Sequence, residues 1–478
     1  MKLSSLTSFF KKNSSKTLDL PESLLVKELK LLAQENNFLI FENITIYHHS
    51  KNFFIPLLIL EKHRGIFLFE YKDWSYDDLK NAKAEKASNQ NASQDTLAFE
   101  KSHEFIKRKF NEIIHNDGVP ISNYLLMQNL NLDQYKHLDV SFHALLPQDK
   151  IMFNDSSKAS ILEKMMLDKE DKISTYDASY VMSTLLIQYA IIESSKKIHL
   201  ASDEQIKFID SQLVSYEVLK GPTGSGKTSA ILLKAILEKL KNPNLKIVII
   251  KPTNLACDIL KKRLLDTVEH AIIEIDLASI EIVTPSNYTN RSTRYDLIIC
   301  DDSLTYSEKF IAGIKTVKNN SHVIMVESSN KISDTFNFNK NFKNQLKDTF
   351  FHQANEYAKA LQIISTLLQT SKTSDILVVG SSLDKLKLQD DLEFYIQGGA
   401  TLLDGSISLI DQDLDSLLLA SYNDIYSIEA DYVIMMDICS TDIKKLEYAF
   451  NLCKKSVYVL YDNESENLSL IRNNFESN

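Results

Sequence analysis

From Ser202 onward the chain alternates short apolar runs with longer stretches whose apolar residues recur every three or four positions. The runs read as buried strands and the stretches between them as amphipathic helices. The strands are predicted at 246–251 (KIVIIK), 279–284 (SIEIVT), 296–301 (DLIICD), 322–327 (HVIMVE), 375–380 (DILVVG), 416–421 (SLLLAS), 431–437 (DYVIMMD) and 456–461 (SVYVLY). Strand–helix alternation of this kind is the mark of parallel sheets. The N-terminal part is patterned differently. Pro21 and Glu22 open an amphipathic helix from Ser23 to Gln34, and strand-like runs follow at Phe38–Tyr47, Ile55–Leu60 and Gly65–Glu70. The stretch from Asn81 to Ser93 (NAKAEKASNQNAS) reads as an exposed helix or loose loop. A helical pattern resumes to about Asn116, Pro120–Phe153 brings at least two more strands, and 156–200 is helical in pattern.

Composition narrows the class. A chain of 478 residues, 44% hydrophobic and 25% charged, has the makeup of a soluble globular protein of two or three domains. Its longest apolar run, Phe53–Leu60, has the length of a strand and falls far short of a bilayer. The lysine-bearing start (MKLSSLTSFFKKNSSK) lacks a signal-peptide core and reads as a basic tail, so a cytoplasmic location is expected. The cysteines, Cys257, Cys300, Cys439 and Cys453, form no C-x-x-C pair and lie in predicted helices or strands, which suits buried, reduced thiols. The net charge is −10 and uneven: residues 401–478 hold 14 acidic and 5 basic side chains. Bulk charge therefore shows no nucleic-acid face, and any such surface must be local.

The first chemistry lies at Gly221–Thr228, read Gly-Pro-Thr-Gly-Ser-Gly-Lys-Thr. It fits G-x-x-x-x-G-K-[ST], and it follows a predicted strand (Ser215–Lys220) and opens a predicted helix (Ser229–Leu240). Gly is only 10 residues of the chain, and three of them fall in this octapeptide. In such a turn Gly221, Pro222, Thr223, Gly224, Ser225 and Gly226 surround the phosphates, all but Pro222 offering a backbone N–H. Lys227 would reach the β/γ-phosphates and Thr228 would bind Mg²⁺. ATP and Mg²⁺ are the implied cofactors.

Several stretches in the same order resemble the motor core of superfamily-1 helicases of the UvrD/Rep type, across roughly 200–478. Ser202–Gln205 resembles the family's Q motif, which implies an adenine contact for Gln205; Ser-x-x-Gln is equally a helix capping box. Lys251–Leu260 (KPTNLACDIL) resembles the Thr-Asn segment near the nucleic-acid track, and Thr284–Asn287 occupy the next DNA-facing place. Tyr295–Asp302 (YDLIICDD) resembles the Walker B strand, which implies Mg²⁺ coordination for Asp301 and water activation for Asp302, where the family has Glu. The family's γ-phosphate-sensing Gln falls on Lys331, and its Asn-Tyr-Arg element on Asn341-Phe342-Lys343, implying that Phe342 stacks on adenine and Lys343 replaces an arginine. Ser421–Asp431 resembles the element whose Glu contacts ribose, here Glu429. Tyr448–Leu460 matches the last element, except that its arginine finger is Leu452. Such a finger is worth on the order of 10³–10⁵ in rate. The gaps leave no room for the family's large accessory domains.

Residues 21–75 resemble the NERD domain, a relative of the PD-(D/E)xK nucleases. Gly65–Lys72 (GIFLFEYK) matches its Gly-(apolar)₄-Glu-x-Lys, Glu22 stands at its early acidic position and Trp74 follows. The resemblance implies a metal at Glu70 and a catalytic Lys72, but the expected Asp is Pro56, which cannot ligate.

The expected architecture is thus α/β: a flexible tail (1–20), a restriction-endonuclease-like NERD domain (21–155), a helical connector (156–200) and two RecA-like P-loop NTPase lobes (201–335 and 336–478). The expected function is an ATP-binding, helicase-like protein acting on DNA in repair or defence, a weak ATPase with doubtful unwinding. Two other readings stay open: a pseudoenzyme scaffold that switches on nucleotide and recruits a protein partner, and an ATP-gated nuclease.

Overall fold

The apolar runs build three principal sheets. The computed structural model describes residues 22–48, 51–61, 63–81, 104–111, 119–165, 178–192, 198–289, 294–317, 321–328, 336–338, 348–381, 388–392, 396, 399–405 and 415–475. The chain divides into one unit of Met1–Leu200 with Thr267–Glu274, and a second of Ala201–Asp266 with Ile275–Asn478. The tail at 1–20, the stretch 82–93 and residues Arg291, Lys331, Asn341, Phe342 and Lys343 lie outside the described residues.

In the first unit, helix α1 (Leu24–Glu35) starts on Ser23, whose hydroxyl accepts from Val26 N. Its buried face (Leu25, Val26, Leu29, Leu32) packs on Leu57, Ile59, Phe67, Phe69 and Tyr124. The sheet beneath runs β1 (Leu39–His48), β2 (Lys51–Glu61), β3 (Gly65–Lys72), β4 (Ile121–Met127) and β5 (Ile151–Phe153) in that spatial order. β1–β2 and β2–β3 are antiparallel, β3–β4 and β4–β5 parallel. Pro56 marks a fault in it. The β2–β3 ladder ends at the Leu57–Phe69 pair, just short of Pro56 and Glu70. The β1–β2 ladder steps from Glu42–Leu57 to Ile44–Ile55, with Asn43 at a left-handed φ of 49° between them. Proline has no N–H for either ladder.

The region 156–200 corrects the all-helical expectation. Helices at Lys158–Met165 and Ala178–Leu185 are present, but β6 (Ala190–Ile192) and β7 (Ile198–Leu200) then pair antiparallel. The β-branched run Ile191-Ile192 favours a strand, and its pairing across the hairpin decides the matter.

The second unit holds two RecA-like lobes, each a six-stranded sheet. The first combines β8 (Tyr216–Gly221), β9 (Ile247–Ile250), β10 (Ile280–Val283), β11 (Leu297–Cys300), β12 (His322–Ser328) and β13 (Phe336–Asn337), in the order β10-β9-β11-β12-β8-β13. The second combines β14 (Asp348–Gln353), β15 (Ile376–Gly380), β16 (Ala400–Leu403), β17 (Leu417–Ser421), β18 (Ala430–Met435) and β19 (Cys453–Tyr461), in the order β14-β19-β18-β15-β17-β16. Every pairing in both is parallel. All eight runs predicted after Ser202 are strands. β13, β14 and β16 were not foreseen: β13 is two residues long, and β14 and β16 sit at sheet edges with mixed burial, so their sequences lack an apolar run. No helix among the described residues is long and apolar enough to cross a membrane.

Three cysteines are buried as expected; Cys439 is exposed, because it falls in a turn (Ile438–Ser440) and not in a strand.

Candidate nucleotide site

Helix α2 (Asp203–Asp210) and helix α3 (Lys227–Lys241) flank β8, which delivers the chain to a turn that glycine permits. Gly224 and Gly226 take φ of 84° and 79°, left-handed values that side chains resist. A Cβ on Gly226 would lie 2.1 Å from Gln205 Nε2. Gly226 is the N-cap of α3 and supplies no side-chain cap, so the helix N-terminus keeps backbone donors for a ligand. Inside the loop, Ser225 Oγ is buried without a hydrogen-bond partner, an orphan of the kind a polar ligand satisfies.

Lys227, 7% exposed, folds its ammonium onto the loop, donating to Gly221 O at 2.9 Å and Pro222 O at 2.8 Å. Thr228 Oγ1 donates to Asp301 Oδ2 at 2.8 Å. Strand order makes this possible: β12 alone separates β8 from β11, so the phosphate loop and the acidic strand end stand about 10 Å apart at their backbones. Side chains close that gap. The loop donors and Lys227 fit a triphosphate; Thr228 and Asp301 are the side chains a Mg²⁺ ion would turn to, and Asp301 Oδ2 is already engaged by Thr228 and by Lys251.

Gln205 is brought against the loop, with its amide engaged by the chain. Oε1 accepts from Ser202 N at 2.8 Å, completing the capping box, and Nε2 donates to Ser225 O at 3.2 Å.

Asp301 and Asp302 hold a third residue that sequence reasoning passed over. Lys251, 1% exposed, donates to Asp301 Oδ2 at 2.9 Å and to Asp302 Oδ2 at 2.7 Å. Burial alone would lower the lysine pKa, yet the two carboxylates outweigh it and raise it. Burial also pushes the Asp301 carboxyl up, but the Lys251 charge and the hydrogen bonds from Lys251 and Thr228 bring it below its ordinary value. Asp302 is raised, by burial first and by the charge of Asp301 second. A signal for Lys251 was present: one charge just past an all-apolar strand, at the C-terminal edge of a parallel sheet, is where ligands are met. Around this trio, Tyr306 Oη donates to Ile250 O (2.8 Å) and Asp301 O (2.5 Å). Tyr426 and Tyr448 of the second lobe pack ring to ring at 5.1 Å, and burial, then the charge of Asp302, raises both phenols.

The Thr-Asn segment begins helix α4 (Asn254–Ala271) and docks on the second lobe, where Asn254 N donates to Gly405 O at 2.9 Å. Thr284 caps the short helix Pro285–Thr289 through Asn287 N. Glu429 pairs with Lys454 at 3.3 Å. Leu452 is 3% exposed and belongs to the second lobe's core with Val433, Val457 and Ile471, so the finger position points into apolar packing. Arg472 binds Glu464 and the Tyr461 hydroxyl, and Arg263 binds Ser229 Oγ.

In the first unit Glu70 and Lys72 share a face of β3 and lie 3.5 Å apart, and Lys72 also sits over the Trp74 ring. Glu22 is exposed and pairs with Lys27 at 3.6 Å. Among the described residues no three His, Cys, Asp or Glu side chains gather as a metal cluster.

No family model and no curated protein matches this chain. Among solved structures it is similar to S. cerevisiae Dbp5 bound to RNA and ADP BeF3, at 10% identity over 62% of this chain and 91% of that one, with a TM-score of 0.46. It is also similar to the DEAD-box helicase Mss116 bound to ssRNA and UDP-BeF, at 14% identity over 63% and 74%, with a TM-score of 0.42. At such values neither likeness carries an argument; strand order and the phosphate loop carry the fold assignment.

Proposed function

We propose that this chain is an ATP-binding, helicase-like protein that acts on nucleic acid, DNA in the first instance, in repair or defence. The observation that carries the reading is the loop Gly221–Thr228 at the head of α3, with Lys227 folded inside it and Thr228 bonded to Asp301. ATP would lie on the loop with its phosphates toward Lys227; Thr228, with Asp301 wherever Lys251 yields it, would hold a Mg²⁺ ion that supplies positive charge to the phosphates. Asp302 would position water, and Gln205, Phe342, Lys343 and Glu429 would surround the base and ribose. Lobes at 201–335 and 336–478 form the motor, similar in motif order to UvrD/Rep enzymes, and 21–155 is a NERD-like domain with Glu70 and Lys72 as its remaining site. The location is cytoplasmic.

Lys227→Ala removes the charge that meets the phosphates and should lower ATP affinity at least tenfold, about 1.4 kcal/mol. Unchanged ATP binding by calorimetry would sink the reading. ATP turnover with and without single-stranded DNA, then RNA, tests the substrate class.

A second reading, an ATP-operated switch that recruits a protein partner, is favoured by one observation. The finger position is core-buried Leu452, so the second lobe brings no arginine there to the transferred phosphoryl group. Turnover that stays negligible with every nucleic acid, beside tight ATP binding, would select it.

A further inference from the structure

We propose that Lys251 is a resident cation at the acidic end of β11, taking the place at Asp301 and Asp302 that a divalent ion would otherwise fill, so that nucleotide binding depends little on Mg²⁺. The inference deepens the nucleotide reading above and rests on it for its ATP arm.

Two adjacent carboxylates in a buried place need an opposing charge. In this lobe the charge is built into the chain. Lys251 follows β9, the strand paired with β11 through Ile250 and Cys300, so backbone register fixes its root beside Asp301. Its ammonium meets one oxygen of each acid, at 2.9 and 2.7 Å, and is 1% exposed. Asp301 is engaged on both oxygens: Oδ1 accepts from Asp302 N at 3.0 Å, and Oδ2 accepts from Thr228 Oγ1 as well as Lys251. A Mg²⁺ ion demands oxygen ligands at about 2.0–2.1 Å in octahedral array. To draw on Oδ2 it would have to approach an ammonium already bonded to that atom, or expel it. Expulsion is opposed by burial: Lys251 is 1% exposed, Tyr306 is bonded to the carbonyl of Ile250 just before it, and Tyr426 and Tyr448 of the second lobe lie close enough to feel the charge of Asp302. Lys251 also holds Asp302, the carboxylate that the helicase resemblance assigns to water activation. The same ammonium therefore restrains both metal binding and hydrolysis, and leaves the phosphate loop free to take nucleotide.

The test uses the whole chain and two probes. Mn²⁺ alone is followed by electron paramagnetic resonance in nucleotide-free protein, with Asp301→Asn identifying signal from this place. Wild type should show no Asp301-dependent Mn²⁺, and Lys251→Met should gain it. Thermal stability should follow: wild type unchanged between EDTA and Mg²⁺, Lys251→Met lowered in EDTA and restored by Mg²⁺. ATP affinity of wild type, by calorimetry, should differ no more than roughly threefold between Mg²⁺ and EDTA. Asp301-dependent Mn²⁺ binding by wild type, or a loss of ATP affinity in EDTA of roughly thirtyfold or more, overturns the proposal. The wild-type arms decide even if Lys251→Met does not fold, and Lys251→Met/Asp302→Asn, with one buried charge fewer, provides a second variant for the gain of Mn²⁺. If ATP binds in neither buffer, the nucleotide reading fails while the Mn²⁺ arm still judges Lys251.

Discussion

The two RecA-like lobes end their central strands in the same turn and answer its charge in opposite ways. In the first lobe β11 runs into Asp301 and then Asp302, which takes a left-handed φ of 53° before a short helical turn at Ser303–Thr305. In the second, β18 runs into Met436 and then Asp437, at φ 56° before Ile438–Ser440. A tyrosine hydroxyl caps the carbonyl one residue earlier in each case, Tyr306 on Asp301 O and Tyr422 on Met436 O. The difference lies in the partners. Lys251 meets the first pair of acids, whereas in the second lobe Asp437 accepts from Ser381 N and from Ser381 Oγ at 2.6 Å, and its own N–H donates to Glu356 Oε2 at 2.7 Å. Among the described residues no lysine or arginine pairs with Asp437 or Glu356 at that second turn, and burial, followed by the charge of Asp437, moves the Glu356 carboxyl up to about 7. One scaffold thus meets its paired acids either with an internal cation, where they are buried, or with hydrogen bonds and a raised carboxyl pKa, where they are half-buried, and only the first arrangement stands beside a phosphate loop.

Three substitutions sharpen this contrast. The largest effect is expected from Leu452→Arg, which restores the helicase residue by name and places a guanidinium in the second lobe's core. It should cost on the order of 5 kcal/mol in denaturant unfolding, and a stable variant with raised ATP turnover would show that the side chain reaches the nucleotide instead. Lys251→Met, measured in EDTA, should cost about 3–5 kcal/mol, because it strands two buried carboxylates. The smallest effect belongs to Glu356→Gln. A carboxyl whose folded pKa is raised binds its proton more tightly in the folded state, so its contribution is complete below pH about 4.5 and is lost as pH rises through about 7. Wild-type stability should fall across that window and Glu356→Gln should flatten the fall, on the order of 1 kcal/mol after discounting for solvent screening of a half-buried group. An unchanged pH profile would place the proton elsewhere.

The apolar runs after Ser202 sufficed to name every long central strand, because a strand buried on both faces must be apolar throughout. The phosphate loop was legible for a related reason: its glycines at 224 and 226 answer a backbone demand that is local, a left-handed turn into a helix. Edge strands such as Asp348–Gln353, half exposed, carry no comparable pattern, and the hairpin Ala190–Leu200 lies in a stretch whose helical periodicity its strand pairing overrides. Partnership was decided by the tertiary structure alone. The place of Lys251 just past an apolar strand marks it as near a ligand edge but does not name its partner; parallel register between β9 and β11 sets it against Asp301 from fifty positions away. Likewise Leu452 reads as a missing arginine in sequence and becomes a core side chain once β18 and β19 pair. Sequence fixes what each short segment must bury or bend, since those demands act over a few residues, while the meeting of charges depends on which strands lie side by side.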